Sequence, residues 1–529
     1  MNGATAPIVT TRAGAISGRS LPGLEQFIEV PYAAPPVGDA RFTAPRPVEP
    51  WDGVRAADTW RYRTPQNPDT AYGNAPQLFY SIQGDFYAKD MSEDSLTLNI
   101  WTPSTTDYKR RPVLVWIHGG GYTVGHAGSE SYDGENFARE HDMVFVALTH
   151  RLNAFGFLYL DRLGGEKYAG SGNAGMLDLV TALEWVRDNI AAFGGDSDNV
   201  TIVGESGGGG KVSTLMVMDA AAGLFHHAVC ESGFALSAKT AEQAEAYTEA
   251  LIGQLGGGGI ATLLGASVTE LLAAQAEIEL ADPSLGSPGP VVDGVVLHET
   301  PVATWESGRG SSAPLLAGWT HDEVTAFRPG DLELGVEAPL AFRHDFGRNR
   351  PPLFDPAAGL HNLDRFAPGR DLSSLVEAQR RVSPSASDEE IAVTLTGALL
   401  FRAPAFRLAD LRARSEKATY LYEFDWVSPI IHELGAPHSS DIGLFFGNTE
   451  RLHFTRGVES ARTASAAMSG ALAAFARTGD PNVAGRTDWT PYSADNRAVM
   501  VFDTASSVQL DPDGAVREAL VALAPASIM

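Results

Sequence analysis

Ser206 stands where the β-branched run Thr201-Ile202-Val203 breaks into Gly204-Glu205-Ser206-Gly207-Gly208-Gly209-Gly210-Lys211. The spacing Gly204-x-Ser206-x-Gly208 matches a nucleophile elbow, a strained strand-to-helix turn that presents a serine hydroxyl above a sheet. Glycines suit such a turn because flanking β-carbons would collide in it. The same five residues also read as an ordinary turn in a chain with 55 glycines. Serine is a poor nucleophile at neutral pH, so an elbow is functional only if a base and a carboxylate that orients it come with it.

In α/β-hydrolases those partners follow the serine in the order Asp or Glu, then His, each on a loop past the carboxyl end of a strand. The apolar run at residues 314–318 reads as a buried strand, with Asp322 and Glu323 just beyond it. A late strand at 419–424 precedes a loop with His432 and His438. Downstream of Glu323 the chain also holds His344, His361 and His453. Loop placement narrows the base to His432 or His438, with an edge to His438, and Asp322 competes with Glu323. Acyl transfer also needs donors where negative charge develops on the tetrahedral intermediate. His118-Gly119-Gly120-Gly121-Tyr122 follows the apolar run 113–117, so the N–H groups of Gly120 and Gly121, with that of Gly207, are candidate oxyanion donors. No His/Cys cluster has metal spacing, and Val212 after Lys211 breaks the phosphate-loop pattern, so no metal or cofactor is expected.

The elements that must position these residues alternate. Apolar runs at 113–117, 143–148, 200–203 and 228–230 read as buried strands, 96–101 as a half-buried one, and 175–190 as a helix ended by Phe193-Gly194-Gly195. Residues 241–276 are helix-rich around the glycine run 256–259, and 461–476 and 514–524 read as further helices. The first hundred residues read as short strands and proline-punctuated turns, with an aperiodic, aromatic-bearing loop at 60–91. Residues 328–370 read as irregular covering structure. Strands alternating with helices imply an α/β fold with a mostly parallel central sheet. Residues 1–529 read as one domain, without repeats or a linker.

With 44% hydrophobic residues the chain can bury a large core. Its 39 basic against 65 acidic residues give a net charge of −26, which disfavours nucleic acid and anionic membranes as partners. No run approaches the 18 apolar residues of a membrane span, and residues 1–8 lack the features of a signal peptide. The single cysteine, Cys230, lies in an apolar run as an inert buried thiol, so no intrachain disulfide can form and a reducing, cytoplasmic setting is expected.

The chain resembles the type B carboxylesterase family, which includes cholinesterases and bacterial p-nitrobenzyl esterases. The resemblance rests on Pro31-Tyr32-Ala33 with Arg41-Phe42, Glu93-Asp94-Ser95-Leu96, the 118–122 glycine motif, Arg151-Leu152-Asn153-Ala154-Phe155-Gly156-Phe157-Leu158, Gly172-Asn173-Ala174-Gly175 and Phe193-Gly194-Gly195-Asp196, with the elbow in register. It implies an α/β-hydrolase fold with large insertions around a deep active-site pocket. The implied activity is hydrolysis of small-molecule carboxylic esters through an acyl-enzyme, with amide or carbamate hydrolysis, or a non-catalytic binding role, as alternatives. It selects Glu323 from the Asp322-Glu323 pair, and His438 because it precedes a segment like Asp441-Ile442-Gly443-Leu444-Phe445-Phe446-Gly447. Supporting places next to the triad fall to Glu205 and Ser232, and structural ion pairs are implied for Arg41 with Glu93 and Arg151 with Asp178. The glycine triple is shared with esterases that accept bulky alcohols. Three departures stand out. Thr64 and Ser95 replace a disulfide that closes an aromatic loop in secreted relatives, which makes that loop a candidate for mobility. Gly207 replaces the usual alanine, and Lys211 a small residue whose replacement leaves an ammonium to be accommodated. Glycines opening a helix each cost about 1 kcal/mol relative to alanine, so the run 207–210 demands a packing reason.

Overall fold

The computed structural model describes residues 6–67, 76–88, 90–327, 354–414, 417–486 and 488–523. The apolar runs assemble into one eleven-stranded sheet. In chain order its strands are β1 Arg19–Leu21, β2 Leu24–Pro31, β3 Thr97–Thr102, β4 Arg111–Ile117, β5 Val144–Leu148, β6 Gly195–Glu205, β7 His227–Glu231, β8 Leu315–Thr320, β9 Thr419–Phe424, β10 Ala498–Phe502 and β11 Ser507–Leu510. In space the order is β11-β10-β9-β8-β7-β6-β4-β5-β3-β2-β1. Every pairing from β5 to β10 is parallel, and the pairings outside that block are antiparallel. Parallel strands need crossovers that lie on the sheet faces, so the central strands are covered on both sides. The helices used below are α1 Ala174–Asn189, α2 Gly207–Leu215, α3 Asp388–Gly397, α4 Ala403–Ala413, α5 Glu459–Thr478 and α6 Gly514–Leu523.

The two-residue period of β4 divides the core. Val113, Val115 and Ile117 face one apolar cluster with Leu179, Leu183 and Val186 of α1. Leu114 and Trp116 face the other, with Met468, Leu472 and Phe475 of α5. A strand buried on both faces cannot alternate with polar residues, which is why 113–117 reads as a continuous apolar run.

Three sequence expectations need correction. β3 is buried almost throughout rather than half-buried. Its polar residues face other polar groups: Asn99 Oδ1 accepts the Glu29 N–H at 3.0 Å, and the Thr97 and Thr149 hydroxyls meet at 3.3 Å. The described part of the 328–370 stretch is not wholly irregular but carries short helical turns, Pro356–His361, kinked at Gly359, and Asn362–Phe366. Strands β10 and β11 and the helices of residues 373–413 had no sequence assignment. In that region α3 and α4 are joined without a break by a π-helical turn at Ala398–Arg402. The continuous helix Asp388–Ala413 is long and apolar enough by length and composition to cross a membrane, but 89% of its most apolar window is buried within the protein. Its hydropathy reflects packing against the core.

Candidate active site

Ser206 lies between the end of β6 and the start of α2 with φ 56° and ψ −123°, a region that costs a non-glycine residue about 1–3 kcal/mol. Its surroundings leave no alternative. Its N–H donates to the Glu231 carbonyl at 2.8 Å and its carbonyl accepts from Gly210 N–H at 3.0 Å. A β-carbon on Gly208 would lie 2.1 Å from the Ile117 carbonyl oxygen, and one on Gly233 only 1.8 Å from that of Ser206. Three of the four glycines in the run 207–210 are required by close backbone approach: Gly207 by Gly121, Gly208 by Ile117, and Gly209 by the Gly233 oxygen at 2.7 Å. A β-carbon on Gly210 would meet no backbone, only the Tyr122 hydroxyl at 3.3 Å and the Ala235 side chain at 3.9 Å.

Glu323 and His438 come together from the loops after β8 and β9. His438 Nδ1 is 2.5 Å from Glu323 Oε2, with both side chains buried. The other Glu323 oxygen accepts from Thr320 N–H at 3.0 Å, and the His438 N–H donates to the Glu323 carbonyl at 3.2 Å. Asp322, the rival acid, has a different role, accepting the Ala436 N–H at 3.0 Å and so tying down the loop that carries His438. The rival base His432 is largely exposed, as is His361. His453 packs 6.0 Å from the Tyr80 ring, and His344 lies outside the described residues.

Glu205 enters the same cluster from the elbow. Its Oε1 is 3.1 Å from His438 Nε2 and accepts from the Ser439 hydroxyl at 2.5 Å. Burial disfavours the charged imidazolium, but the carboxylates of Glu205 and Glu323 outweigh it and raise His438 to about 9. Glu205 in turn is pushed up to about 7 by burial, while His438 pulls it back. Ser206 Oγ makes no hydrogen bond among the described residues, and His438 Nε2 faces Glu205. Ser232 follows β7 with φ 44°. Its buried hydroxyl has no partner among the described residues, so no hydrogen bond ties it to Glu323. Behind the elbow, both oxygens of buried Glu231 are also without partners among the described residues; burial, then Asp441 and Glu205, hold it well above the usual carboxyl range.

The N–H groups of Gly120, Gly121 and Gly207 carry no hydrogen bond among the described residues. Gly120 and Gly121 take φ 83° and 59°, values that glycine adopts freely. A cavity of about 430 Å³ beside this loop is lined by residues that include Gly121, Tyr122, Lys239 and Gly289. Among the described residues, no three His, Cys, Asp or Glu side chains group as metal ligands.

Sequence reasoning missed the aromatic clamp on the base. The Phe401 and Phe327 rings lie 4.8 and 5.3 Å from the His438 ring. Phe401 belongs to the π-helical turn, and Gly397 just before it lets the helix approach Glu323, whose Cβ would be 3.1 Å from a β-carbon there. A π turn shifts the helical register by one residue and is often found at functional sites. The only signal in the chain was the apolar run Ala398-Leu399-Leu400-Phe401, which has nothing to distinguish it from core.

The framework pairs are present. Arg41 binds Glu93 at 2.6 Å, and Arg151 binds Asp178 at 2.7 Å, fully buried. Thr64 and Ser95 place their hydroxyls 3.1 Å apart, a hydrogen bond between the two residues expected to stand in for a disulfide. The mobility expected for the loop between them concerns residues that lie partly outside the described ones. Cys230 is buried, and burial raises its thiol above its ordinary range.

Comparison with known proteins gives one consistent result. A family model described as the carboxylesterase family matches residues 5–516. The para-nitrobenzyl esterase of Bacillus subtilis is 33% identical over 530 residues, covering 98% of this chain and 99% of the relative. The phenmedipham hydrolase of Pseudarthrobacter oxydans is 34% identical over 528 residues, covering 96% and 97%. The crystal structure of a carboxylesterase from Geobacillus stearothermophilus superposes with a TM-score of 0.81 at 34% identity, covering 97% of this chain and 99% of that one.

Proposed function

This chain belongs to the carboxylesterase family and hydrolyses carboxylic esters, and from that premise we propose the role of each residue in the site. Ser206 Oγ attacks the ester carbonyl carbon, and His438 Nε2 takes its proton. Glu323 holds the imidazole by Nδ1 and stabilises the imidazolium. The carbonyl oxygen, now negative, is received by the N–H groups of Gly120, Gly121 and Gly207. Collapse expels the alcohol, which takes the proton back from His438. Water, deprotonated by the same histidine, then releases the acid. Glu205, by favouring the imidazolium, sets the pH at which the base becomes available.

The observation that carries this reading is the 2.5 Å contact of His438 with Glu323 beside a serine held at φ 56°. Ser206→Ala is expected to lower kcat on a p-nitrophenyl ester by about 10⁴-fold or more, and an organophosphonate probe is expected to label Ser206. Wild-type turnover by the variant, or labelling elsewhere, overturns it. The glycine triple also supports esters of hindered alcohols as substrates; failure of a tert-butyl ester whose linear isomer turns over refutes that. Matched ester, amide and carbamate substrates, with phenmedipham among the tests, measure how far the activity extends. A reducing, cytoplasmic location is our reading from the hydrogen bond between Thr64 and Ser95 and the single buried thiol; export of the native protein by its own cell refutes it.

A further inference from the structure

Lys211 lies one turn into α2 with no exposed surface. Burial lowers its ammonium to about 7, a shift that the Glu205 carboxylate opposes. Its partners are specific. Nζ donates to the Gly121 carbonyl at 2.7 Å and to the His118 carbonyl at 3.1 Å, and lies 5.3 Å from the centre of the Tyr122 ring. These two carbonyls belong to the peptide units 118–119 and 121–122. Between them lie the units 119–120 and 120–121, which carry the N–H groups of Gly120 and Gly121. Lys211 therefore holds both ends of the segment that carries two oxyanion donors. Three consecutive glycines make that segment conformationally permissive, and donors aimed at a developing charge are effective only if preorganised. The rings of His118 and His150 stack 4.8 Å apart near the same ammonium. Burial, and then the charge of Lys211, keep both well below their ordinary range, and their Nδ1 atoms meet the Gly119 and Arg151 carbonyls rather than the two that Lys211 binds.

An independent contact points the same way. A β-carbon on Gly207 would lie 2.2 Å from the Gly121 oxygen and 2.4 Å from its Cα. The carbonyl that Lys211 grips is the one for which Gly207 makes room, so an alanine after the nucleophile is incompatible with the loop in this position.

We propose that Lys211 is a positioning residue that fastens the oxyanion loop onto the start of the nucleophile helix, with Gly207 clearing the space this requires. The two departures from the family pattern are then one device. The proposal rests on the oxyanion roles assigned above, and the test separates the two. A trifluoromethyl ketone adds Ser206 Oγ at its carbonyl carbon, the serine proton passes to His438, and the carbonyl oxygen becomes the anion that the loop must receive. With turnover counted per active site, Lys211→Met is expected to lower kcat about 10- to 100-fold, with KM changed less than about twofold. The inhibition constant of the trifluoromethyl ketone rises by the same factor as kcat falls. Gly207→Ala in the otherwise wild-type enzyme produces a similar kcat loss. Introduced together with Lys211→Met it causes much less further loss, because an unfastened loop can recede, and contacting residues of this kind couple. Unchanged kcat and inhibition constant in Lys211→Met, a loss confined to KM, or two substitutions that act independently would each overturn the proposal. Should Lys211→Met not fold, Gly207→Ala alone decides it, by a loss in kcat and inhibitor affinity or by none. If the wild-type enzyme binds the trifluoromethyl ketone no better than the parent methyl ketone, the oxyanion roles themselves fall. If that preference exists and survives in Lys211→Met, only the fastening falls.

Discussion

On the β6 side of the site the candidate nucleophile is positioned by backbone, whereas on the β8 and β9 side the candidate base and acid are positioned largely by side chains. The elbow is set by main-chain atoms approaching Gly208 and Gly233 to distances no β-carbon tolerates, and the glycine loop opposite presents bare N–H groups. His438 and Glu323 instead come from separate loops and meet through one short side-chain contact, and the Phe401 and Phe327 rings pack against the imidazole. Backbone positioning is all-or-none, because a collision with main chain cannot be relieved by a rotamer change. Side-chain positioning is graded, because a lost ring leaves space that neighbours partly refill.

The sharpest test of that difference is Gly208→Ala, whose β-carbon would sit 2.1 Å from the Ile117 oxygen. It is expected to abolish the elbow and lower kcat/KM by about 10³-fold or more, comparable to losing an oxyanion donor or worse; a phosphonate titration counts the surviving sites. Activity near wild type would show that this half is as adaptable as the other. Phe401→Ala comes next. It removes one side of the clamp and a fully buried ring, with an expected destabilisation of about 3–5 kcal/mol by denaturant titration. The expected kcat loss is about 10- to 100-fold, in an enzyme whose serine still labels. The smallest effect is a shift in pH dependence. The base must be neutral to act, and Glu205 favours its charged form, so kcat/KM in the wild type is expected to rise with pH toward about 9. Glu205→Gln removes one of the three carboxylates, with Glu323 and Asp441, that raise His438, so the rising limb moves to lower pH. A limb that stays in place would assign the shift to Glu323 and Asp441.

The same division governs how much could be read before the fold was known. The turn at Ser206 and the bare glycine loop were legible because each imposes residue types locally: glycine where a β-carbon collides, serine at the vertex. The sheet was legible for a similar reason, since strands buried on both faces must be apolar without interruption. The choice between Asp322 and Glu323, or His432 and His438, could not be read from residue types and spacing, because each pair occupies one loop and is chemically alike; only the resemblance to a family distinguished them. Tertiary structure gives both members of the first pair work: Glu323 reaches the histidine while Asp322 holds the histidine's loop. Strand β3 was misread because polar residues on a strand suggest solvent, whereas Asn99 meets a buried backbone amide.

The sequence by itself determined the order of the candidate reacting groups, the strained turn at Ser206, the bare glycine loop and the parallel character of the sheet, all consequences of short-range sterics and of burial on a two-residue period. Tertiary structure alone decided what surrounds the imidazole and where the Lys211 ammonium goes. Phe401 reaches the imidazole from within a π turn, and the carbonyls that Lys211 binds are about ninety residues away in the chain. A contact between groups so distant depends on how the elements pack, and no local pattern encodes it.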